Sequence, residues 1–400
     1  MKRRLYQGRR VERAESIMEL RAMAARRLPS FCLEYLEGGA DDEITLARNR
    51  QAYDDLTFVP RSLVDVSQRD TACELFGEAS AMPLVIAPTG FNGLLTHAGD
   101  RALAEAARDA GIPFCQSMVS TIPLEDIAAT GVRHWMQLYP FKDRECLASV
   151  VARAEQAGCE AIVLTTDTAA FGNREWDRRN YRAPMQLNLR NLLDVACHPR
   201  WVFDVLVPHG MPRFRNLGMA LPPGQDSARN AATFLAAQMD ASLSWGDIGW
   251  LREMWPRQLM LKGVLSVDDA RRAESLGVDG LVLSNHGGRQ LDTCVAPIEV
   301  LAEIRRAVGP EMTLIVDSGL RRGSDVVKAR ALGADAGMCG RAVLYGLAAG
   351  GRAGAVRALA ILRAEIERTL GLLGTPTLDE VGPECLLPSA LSRFGVGQFG

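Results

Sequence analysis

Several features that place a chain in a specialised class are missing from this sequence. Its 400 residues contain no uninterrupted apolar run of the roughly 18 residues that a membrane-spanning helix requires. The 46 basic and 48 acidic residues leave a net charge of −2, whereas a dedicated nucleic-acid-binding protein would carry a basic excess. Residues 1–27 are too charged to hold the apolar part of a secretion signal. The sequence therefore predicts a cytoplasmic protein with no nucleic-acid partner.

The spacing of cysteine and the scarcity of lysine add two further constraints. The nine cysteines include no C-x-x-C pair and no Cys/His spacing typical of a metal site. We therefore expect no disulfide framework, no bound metal and a reducing compartment. Only four of the 46 basic residues are lysine. One of them, Lys262, ends an apolar run typical of a buried barrel strand, which makes it a candidate for a special role.

From Met82 onward, short apolar runs alternate with longer amphipathic ones, which is the pattern of βα units around a parallel sheet. The predicted strands are 82–87, 112–116, 134–138, 161–165, 259–262, 280–283, 313–316 and 336–338. No G-x-G-x-x-G motif follows the first strand, which argues against a doubly wound nucleotide-binding sheet. Eight such units instead predict an α/β fold, a closed (β/α)₈ TIM barrel.

The length fits one such barrel with additions, so we expect a single domain over residues 1–400. Residues 1–81 are predicted to form an N-terminal cap of helices and a hairpin, residues 82–350 the barrel, and residues 351–400 a C-terminal helix and tail. An insertion after strand four, residues 167–244, lacks a clear strand. Insertions of this size in a compact domain are usually functional lids, binding segments or disordered.

Active sites of this fold collect at the C-terminal ends of the strands, and these ends are polar throughout the sequence. Gly319 and Gly340 follow strands seven and eight, with Arg321 and Arg341 beside them. Barrel phosphate sites are commonly built from these two loops, because glycine permits close backbone approach and arginine supplies charge. The pair predicts a phosphorylated ligand, while either short motif alone would more often be an ordinary turn.

A candidate catalytic pair follows from two other strand ends. His286 stands in a glycine-rich loop after strand six and is a candidate general base. Asp167, after strand four, would fix its orientation and favour the protonated imidazole, and Arg289 has the planar fork that suits a carboxylate. The alternatives are a structural histidine and, for Lys262, an ordinary salt bridge.

At these residues the sequence resembles the family of FMN-dependent enzymes that oxidise 2-hydroxy acids, which includes glycolate oxidase, lactate dehydrogenases and mandelate dehydrogenase. The segment S-N-H-G-G-R-Q-L-D at 284–292 looks like that family's active-site signature, and D-S-G-L-R-R-G at 317–323 is similar to its flavin phosphate segment. The likeness extends over nearly the whole chain. It implies FMN as the cofactor and a small 2-hydroxy acid as the substrate.

The resemblance also implies a role for each matching residue. It makes His286 the base that accepts a proton as the substrate is oxidised, with Asp167 stabilising the imidazolium. The substrate carboxylate or hydroxyl would be held by Tyr35, Tyr139, Arg174 and Arg289. The flavin would be bound by Pro88, Thr89, Gly90, Ser117, Gln137, Thr165, Lys262, Ser284, Asp317, Gly319, Arg321, Gly340 and Arg341. In that set Lys262 would stand beside the N1/O2 edge of the ring, Asp317 would hold the ribityl chain, and the last four would hold the phosphate.

Within the family, residues in and beside the insertion are most similar to those of its mandelate dehydrogenase branch. They include C-H-P-R-W at 197–201 and P-H-G-M-P at 208–212. This likeness implies an aryl substrate such as (S)-mandelate. Family oxidases tend to carry alanine at the position of Gly90, so this glycine implies a quinone or another acceptor instead of oxygen. An (S)-lactate dehydrogenase and a peroxide-producing oxidase remain alternatives, as does a non-catalytic barrel that binds a phosphorylated ligand.

Residues 189–219 combine arginines with six apolar side chains that are expected to meet a surface: Leu192, Leu193, Trp201, Phe203, Leu206 and Phe214. This mixture is typical of a segment that lies on an anionic membrane. The resemblance implies the same, with a peripheral location on the inner face of the cell membrane, and it also implies a homotetramer. A lid packed on the barrel or on a neighbouring subunit is the alternative.

Overall fold

The computed structural model describes residues 4–183, 186–217, 228–391 and 394. Its centre is a closed barrel of eight parallel strands, in which the eighth strand pairs with the first by setting Gly337 opposite Leu84. The strands are Leu84–Ile86, Phe114–Gln116, His134–Leu138, Ala161–Thr165, Gln258–Lys262, Gly280–Leu283, Thr313–Val316 and Ala336–Cys339. The predicted TIM barrel is confirmed, and every predicted strand overlaps an observed one.

Alternate strand residues point into the barrel, where Val85, Trp135, Met260 and Ile315 belong to one buried cluster. The residues between them face a surrounding layer of helices: Gly99–Ala110, Leu124–Ala128, Arg144–Gln156, Gly246–Met254, Val267–Ser275, Pro297–Val308, Gly323–Ala331 and Arg341–Leu373. The first of these ends at Gly111, whose φ of 68° is the left-handed conformation that glycine adopts without strain. The chain can therefore turn directly into the second strand.

The last helix begins earlier than the predicted C-terminal helix. It follows the eighth strand at once and spans Arg341–Leu373, but its backbone leaves the helical conformation at Gly350 and Gly351. The segment predicted from residue 351 is thus the second half of a broken helix. Three short helical turns follow: Leu378–Glu380, Pro383–Cys385 and Pro388–Leu391. Residues 392, 393 and 395–400 of the tail lie outside the described residues.

The segment before the barrel consists of a turn, three helices and a hairpin. They are Val11–Arg13, Ile17–Arg27, Ser30–Glu37, Ile44–Asp55, and the antiparallel strands Cys73–Leu75 and Glu78–Ser80. The hairpin closes the N-terminal end of the barrel, since Phe76 at its tip meets the interior Trp135 edge to face, with 5.6 Å between ring centres. The three helices lie toward the opposite end, where the strands finish. Residues 1–3 are outside the described residues.

The insertion contains more regular structure than the sequence predicts. Its described elements are Glu175–Arg179, the antiparallel strands Tyr181–Ala183 and Gln186–Leu187, then Leu189–Ala196, Pro199–Trp201, Val202–Leu206, Val207–His209 and Ala228–Gln238. The expectation that it lacks strands is therefore wrong. Strands of two and three residues are too short to show an alternating pattern, so they escape sequence analysis. Residues 184, 185 and 218–227, which include the end of the predicted 189–219 segment, lie outside the described residues.

The inner side of the insertion packs on the rest of the chain. Trp201 is fully buried, meets Phe31 edge to face, and donates from Nε1 to the carbonyl of Leu94 at 2.8 Å. Phe214 is also buried and lies against Phe91, with 4.9 Å between ring centres. The expectation that Trp201 and Phe214 meet a surface is therefore wrong, because large aromatic side chains can serve equally as internal anchors. Leu206 is half-buried.

The opposite side of the insertion presents apolar side chains to the exterior. We call it the outer face and define it by its exposed large apolar residues: Leu189, Leu192, Leu193, Phe203, Val207 and Met211. Three of them recur at helical spacing along Leu189–Ala196 and form one stripe. Among the described residues, no helix has both the length and the apolar character needed to cross a bilayer.

Candidate active site

A cavity of about 440 Å³ opens at the C-terminal ends of the barrel strands. Its wall brings together most of the residues singled out by the sequence: Tyr35, Pro88, Thr89, Gly90, Tyr139, Arg174, Lys262, His286, Arg289, Asp317, Gly319, Arg321, Gly340 and Arg341. The loops after the strands supply most of them, the N-terminal helices supply Tyr35, and the insertion supplies Arg174. Residues distant in sequence meet here because parallel strands of a closed barrel all finish on one rim.

His286 and Asp167 form the pair that the sequence predicts. His286 Nδ1 lies 2.9 Å from Asp167 Oδ1. Burial would raise the pKa of Asp167, but the charge of His286, its hydrogen bond and the charge of Lys262 together lower it. An ionised Asp167 must accept at this contact, so Nδ1 carries the proton and Nε2 is left as the basic atom. The arrangement can accept a proton from a molecule in the cavity.

Two arginines face the same part of the cavity with a carboxylate between them. Asp177 Oδ2 lies 3.4 Å from Arg174 Nε and 3.9 Å from an Arg289 terminal nitrogen. Burial and the neighbouring Arg174 lower the pKa of Arg289 to about 10, which leaves it charged at neutral pH. Two guanidinium groups with one carboxylate carry a net positive charge, and a substrate carboxylate would neutralise it.

Tyr35 and Tyr139 line the cavity next to these arginines. Burial raises the pKa of both phenols, so both hydroxyls keep their protons at neutral pH and can donate hydrogen bonds. Tyr35 donates to the carbonyl of Gly90 at 3.2 Å, and its own carbonyl accepts from Arg289 at 2.9 Å. The N-terminal segment is thereby tied to the catalytic loop.

Lys262 is buried and ends inside a small polar cluster. Its Nζ donates to Ser284 Oγ at 2.9 Å and lies 3.4 Å from Asp317 Oδ2, while Ser284 donates to the same carboxylate at 2.7 Å. The salt bridge that the sequence left open as an alternative is present. It does not exclude a ligand, because Lys262 and Asp317 both also border the cavity. Ser284 lies behind them and does not reach its wall.

The opposite end of the cavity fits a phosphate. Gly319 and Gly340 border it, and the guanidinium groups of Arg321 and Arg341 face it. Burial and the charges of neighbouring arginines lower the pKa of Arg341 to about 9, and its donors contact only backbone carbonyls, those of Leu36, Gly38 and Gly287. Within the described residues neither Arg321 nor Arg341 pairs with a carboxylate. Partly buried cations of this kind call for an anion, and the FMN phosphate is of the right charge.

Three predicted flavin contacts lie below the cavity instead of on its wall. Ser117 Oγ donates to Gln137 Oε1 at 3.1 Å, and Gln137 Nε2 donates to Thr165 Oγ1 at 2.9 Å. All three side chains are buried at the ends of strands two, three and four. They form a fixed polar floor, and their contact with the flavin stays a prediction.

The loop after the first strand is held from behind by a buried carboxylate. Asp100 accepts from Asn92 Nδ2 at 2.8 Å and from Thr121 Oγ1 at 2.8 Å, and Asn92 Nδ2 also bonds to the carbonyl of Thr89. At Gly90 an added Cβ would lie 2.4 Å from Val119 Cγ2. Close packing therefore explains this glycine, and the backbone that lines the cavity is held by neighbours on both sides.

Sequence reasoning missed three residues that shape the site. Asp177 bridges the two arginines, and its spacing of three from Arg174, at which side chains meet on a helix, was the available signal. Gln290 bonds to the carbonyl of Asp167 at 2.8 Å and so ties the insertion to the histidine loop. Asn285, which precedes the histidine, pairs with Asn49 of the third helix at 2.7–2.8 Å. No local sequence pattern could predict that Asn49 and Asn285 form a pair, because they are 236 positions apart in the chain.

The mouth of the cavity is apolar on the side of the insertion. Phe171, Phe214 and Leu235 come from the insertion, and Phe91 and Leu95 come from the loop after the first strand. A small substrate such as lactate has only one methyl group that could contact this apolar lining. The lining suits a larger apolar substituent on the carbon that carries the hydroxyl.

Comparison with known proteins agrees with this geometry. Residues 24–388 match the family model described as FMN-dependent dehydrogenase. The chain is 44% identical to (S)-mandelate dehydrogenase of Pseudomonas putida over 93% of both chains, and 41% identical to a putative L-lactate dehydrogenase of Mycobacterium tuberculosis over 97% of this chain and 92% of that one. A crystal structure of monotopic membrane protein (S)-mandelate dehydrogenase superposes with a TM-score of 0.90 at 44% identity, covering 94% of this chain and 99% of that one. A mandelate oxidase variant with (S)-mandelic acid superposes with a TM-score of 0.77 at 36% identity, covering 93% and 97%.

Proposed function

The chain belongs to the FMN-dependent dehydrogenase family, and from that membership we propose that it oxidises an aryl (S)-2-hydroxy acid, (S)-mandelate or a close analogue, to the 2-oxo acid. The observation that carries the aryl preference is the apolar mouth of the cavity, with Phe171, Phe214 and Leu235 beside the two arginines. The lactate dehydrogenases among the relatives make (S)-lactate the second candidate.

Oxidation of a 2-hydroxy acid removes two electrons and two protons, and FMN, when bound, would take up the two electrons and one of the protons. The residues of this chain do the rest. Arg174 and Arg289 bind the substrate carboxylate, which the charge of the site favours. The hydroxyls of Tyr35 and Tyr139 keep their protons and orient the substrate oxygens, Tyr139 as a donor with no other partner among the described residues and Tyr35 by giving up its bond to the Gly90 carbonyl. His286 accepts a proton at Nε2, and Asp167 stabilises the imidazolium that results.

The same proposal assigns the cofactor contacts. Lys262 would stand beside the polar edge of the flavin ring, and the loop Pro88 to Gly90 would lie along the ring; all of these residues line the cavity. Asp317 would hold the ribityl chain, while Arg321 and Arg341 with their neighbouring glycines would hold the phosphate. Positive charge from Lys262 would stabilise electron-rich forms of the bound ring.

We also propose that the protein is a peripheral membrane enzyme that passes its electrons to a quinone or another acceptor other than oxygen. The outer face supports the membrane contact, since it combines exposed leucine and phenylalanine side chains with the exposed Arg190, Arg200 and Arg213. The solved relative described as a monotopic membrane protein supports it as well. The inner face of the cell membrane is the proposed location.

A homotetramer is the proposed assembly. Exposed Ile44, Leu291 and Val295 support a subunit contact, because their backbones are neighbours through the bonds of Ile44 to Asp292 and of Thr45 to Leu291 and Cys294. Light scattering of the purified protein would give the mass of four chains. A mass of one chain would contradict the proposal.

Anaerobic stopped-flow measurement of flavin reduction tests the substrate. The FMN-loaded protein is mixed with (S)-mandelate, (S)-lactate and glycolate, and we expect the reduction rate to fall in that order. Faster reduction by lactate would replace mandelate as the substrate, and failure to bind FMN would contradict the enzyme assignment. Mixing the reduced protein with air and with a soluble quinone tests the acceptor, and rapid reoxidation by air would indicate an oxidase.

A further inference from the structure

The catalytic histidine lies in an unusual left-handed turn. Three consecutive residues have positive φ angles, which place them in the left-handed region: His286 at 58°, Gly287 at 68° and Gly288 at 75°. Glycine tolerates it, but a side chain such as that of His286 adopts it at a cost in free energy. Such a turn persists only where its surroundings hold it in place.

Each of the three backbone N–H groups of this turn donates to the oxygen of a different side chain. His286 N bonds to Ser284 Oγ at 3.0 Å, Gly287 N to Ser318 Oγ at 3.0 Å, and Gly288 N to Asn285 Oδ1 at 3.1 Å. The N–H of Gly288 is shared with the backbone carbonyl of Asn285, also at 3.1 Å. Ser284 belongs to the Lys262 cluster already described. Of the other two acceptors, Ser318 lines the cavity and Asn285 does not, and neither has a role in the proposed proton transfer.

Ser318 is itself held in an unfavourable conformation. Its φ is 75°, a value at which glycine would be free of strain, and it is followed by Gly319 in the same region. Its hydroxyl is the group that a glycine would lack, and that hydroxyl accepts the N–H of Gly287. Serine at this position therefore costs backbone strain, and it provides one hydrogen bond to the turn of His286.

Asn285 is held in turn by the third N-terminal helix, Ile44–Asp55. Asn49 Nδ2 donates to Asn285 Oδ1 at 2.8 Å, and Asn285 Nδ2 donates back to Asn49 Oδ1 at 2.7 Å. Both side chains are buried, and Asn49 does not line the active-site cavity. The helix is fixed to the same loop at its start, where Asp292 accepts the N–H groups of Ile44 and Thr45.

We propose that Asn49 and Ser318 are positioning residues that set the orientation of His286 by holding the N–H groups of Gly288, through Asn285, and of Gly287. This proposal rests on the proposed role of His286 as the proton acceptor. A displacement of reacting groups by about 1 Å can slow catalysis by about 100-fold, so two anchors on the turn have a measurable consequence. Asn49 acts from outside the site, since it reaches the turn only by way of Asn285.

The first test replaces Ser318 by glycine, which suits a φ of 75° and removes the hydroxyl together with the CH₂ group that carries it. In the FMN-loaded Ser318→Gly protein we expect anaerobic flavin reduction by substrate to slow about 10-fold, with FMN content unchanged and reoxidation by an artificial acceptor within about twofold of the parent. Only the reductive half requires His286, so a general loss of structure would not separate the two halves in this way. Ser318→Ala, which keeps the strain and also lacks the hydroxyl, should show at least the same loss.

The second test asks whether Asn49 acts through Asn285. We expect Asn49→Ala to slow flavin reduction about 10-fold, and the same change made in an Asn285→Ala protein to add less than about twofold, because residues of one network are not additive. Equal effects of Asn49→Ala in both backgrounds would overturn its role. Ser318→Gly and Ser318→Ala proteins that both reduce flavin at the parental rate would overturn the role of Ser318.

A control separates failure of this proposal from failure of the proposed function. His286→Asn should abolish flavin reduction by substrate. If His286→Asn is inactive while the Asn49 and Ser318 variants reduce flavin normally, the positioning proposal is wrong and the function stands. If His286→Asn reduces flavin normally, the proposed function itself is wrong.

Discussion

The rim of the barrel and the outer face of the insertion differ in how their side chains find partners. On the rim, charged groups pair within the chain: His286 with Asp167, Lys262 with Asp317, and Arg289 with backbone carbonyls of the N-terminal segment. On the outer face, Leu189 is 73% exposed, Leu193 64% and Phe203 65%. Apolar side chains gathered on one exposed face indicate contact with something outside the chain.

The insertion itself contains both kinds of surface. Its inner side is bound to the loop after the first barrel strand by Trp201 and Phe214, and to the first N-terminal helix by the ion pair of Asp204 with Arg27 at 2.9 Å. Its other side is the outer face. One segment thus lines the cavity with Phe171, Phe214 and Leu235 and, by our proposal, would offer its outer face to a membrane. We therefore expect that the chemistry at the rim and the attachment by the outer face can be altered separately.

The largest expected effect comes from the rim. Replacing His286 by asparagine removes the proton acceptor while its size and polarity are roughly kept, and general-base catalysis typically contributes about 10² to 10⁴-fold. We expect anaerobic flavin reduction to fall by at least about 100-fold, with vesicle binding unchanged. A variant that also loses its membrane affinity would show that the two regions are not independent.

A smaller effect is expected from the outer face. We expect the triple substitution Leu189→Ser, Leu193→Ser and Phe203→Ser to lower partition onto vesicles of anionic lipid by at least about 10-fold, because each apolar side chain contributes roughly 1.5–3 kcal/mol when buried. Flavin reduction by soluble substrate should stay at the parental rate. The matched control, Leu63→Ser with Leu372→Ser, changes two other exposed leucines and should leave partition unchanged. Equal partition of the two proteins would refute attachment by the outer face.

The smallest effect is expected where the two regions meet. His97, in the loop after the first strand, stacks on His209 of the insertion with 3.4 Å between ring centres. Partial burial and then the charge of His209 lower the pKa of His97. Folding therefore favours the neutral form of His97. The contribution of His97 to the stability of the folded protein is complete above the ordinary histidine pKa of about 6.5, and it is lost as the pH falls through the lowered pKa of the folded state.

Hydrogen exchange measures this contact. Protection factors in residues 202–210 should decline modestly between about pH 7 and about pH 5.5, and His97→Gln should weaken the decline. His198→Gln is the control, because His198 bonds within the insertion to the carbonyl of Asp194. An identical decline in the parent and the His97→Gln protein would show that protonation of His97 does not weaken the contact between residues 202–210 and the rest of the chain.

Much of the fold could be predicted from the sequence because barrel strands and helices are local patterns. The strand that ends in Lys262 was predicted within a residue, since burial on both faces gives a continuous apolar run. The short strand pair at Tyr181 was missed because strands of two and three residues are too short to show an alternating pattern. The burial of Trp201 was missed because an aromatic side chain in the sequence fits an internal anchor as well as an exposed surface.

The sequence by itself determined which chemical groups the protein possesses and on which strand ends they stand, because polar residues directly after apolar strands must meet on one rim of a closed barrel. Only the tertiary structure decided which of those groups face the cavity. Three strand-end residues bond to one another and do not line the cavity: Ser117, Gln137 and Thr165. Asp177 lies between the two arginines, and Asn49 contacts the histidine turn through Asn285. These side-chain contacts depend on the directions of the side chains and on the packing of distant segments, and neither can be predicted from local sequence patterns.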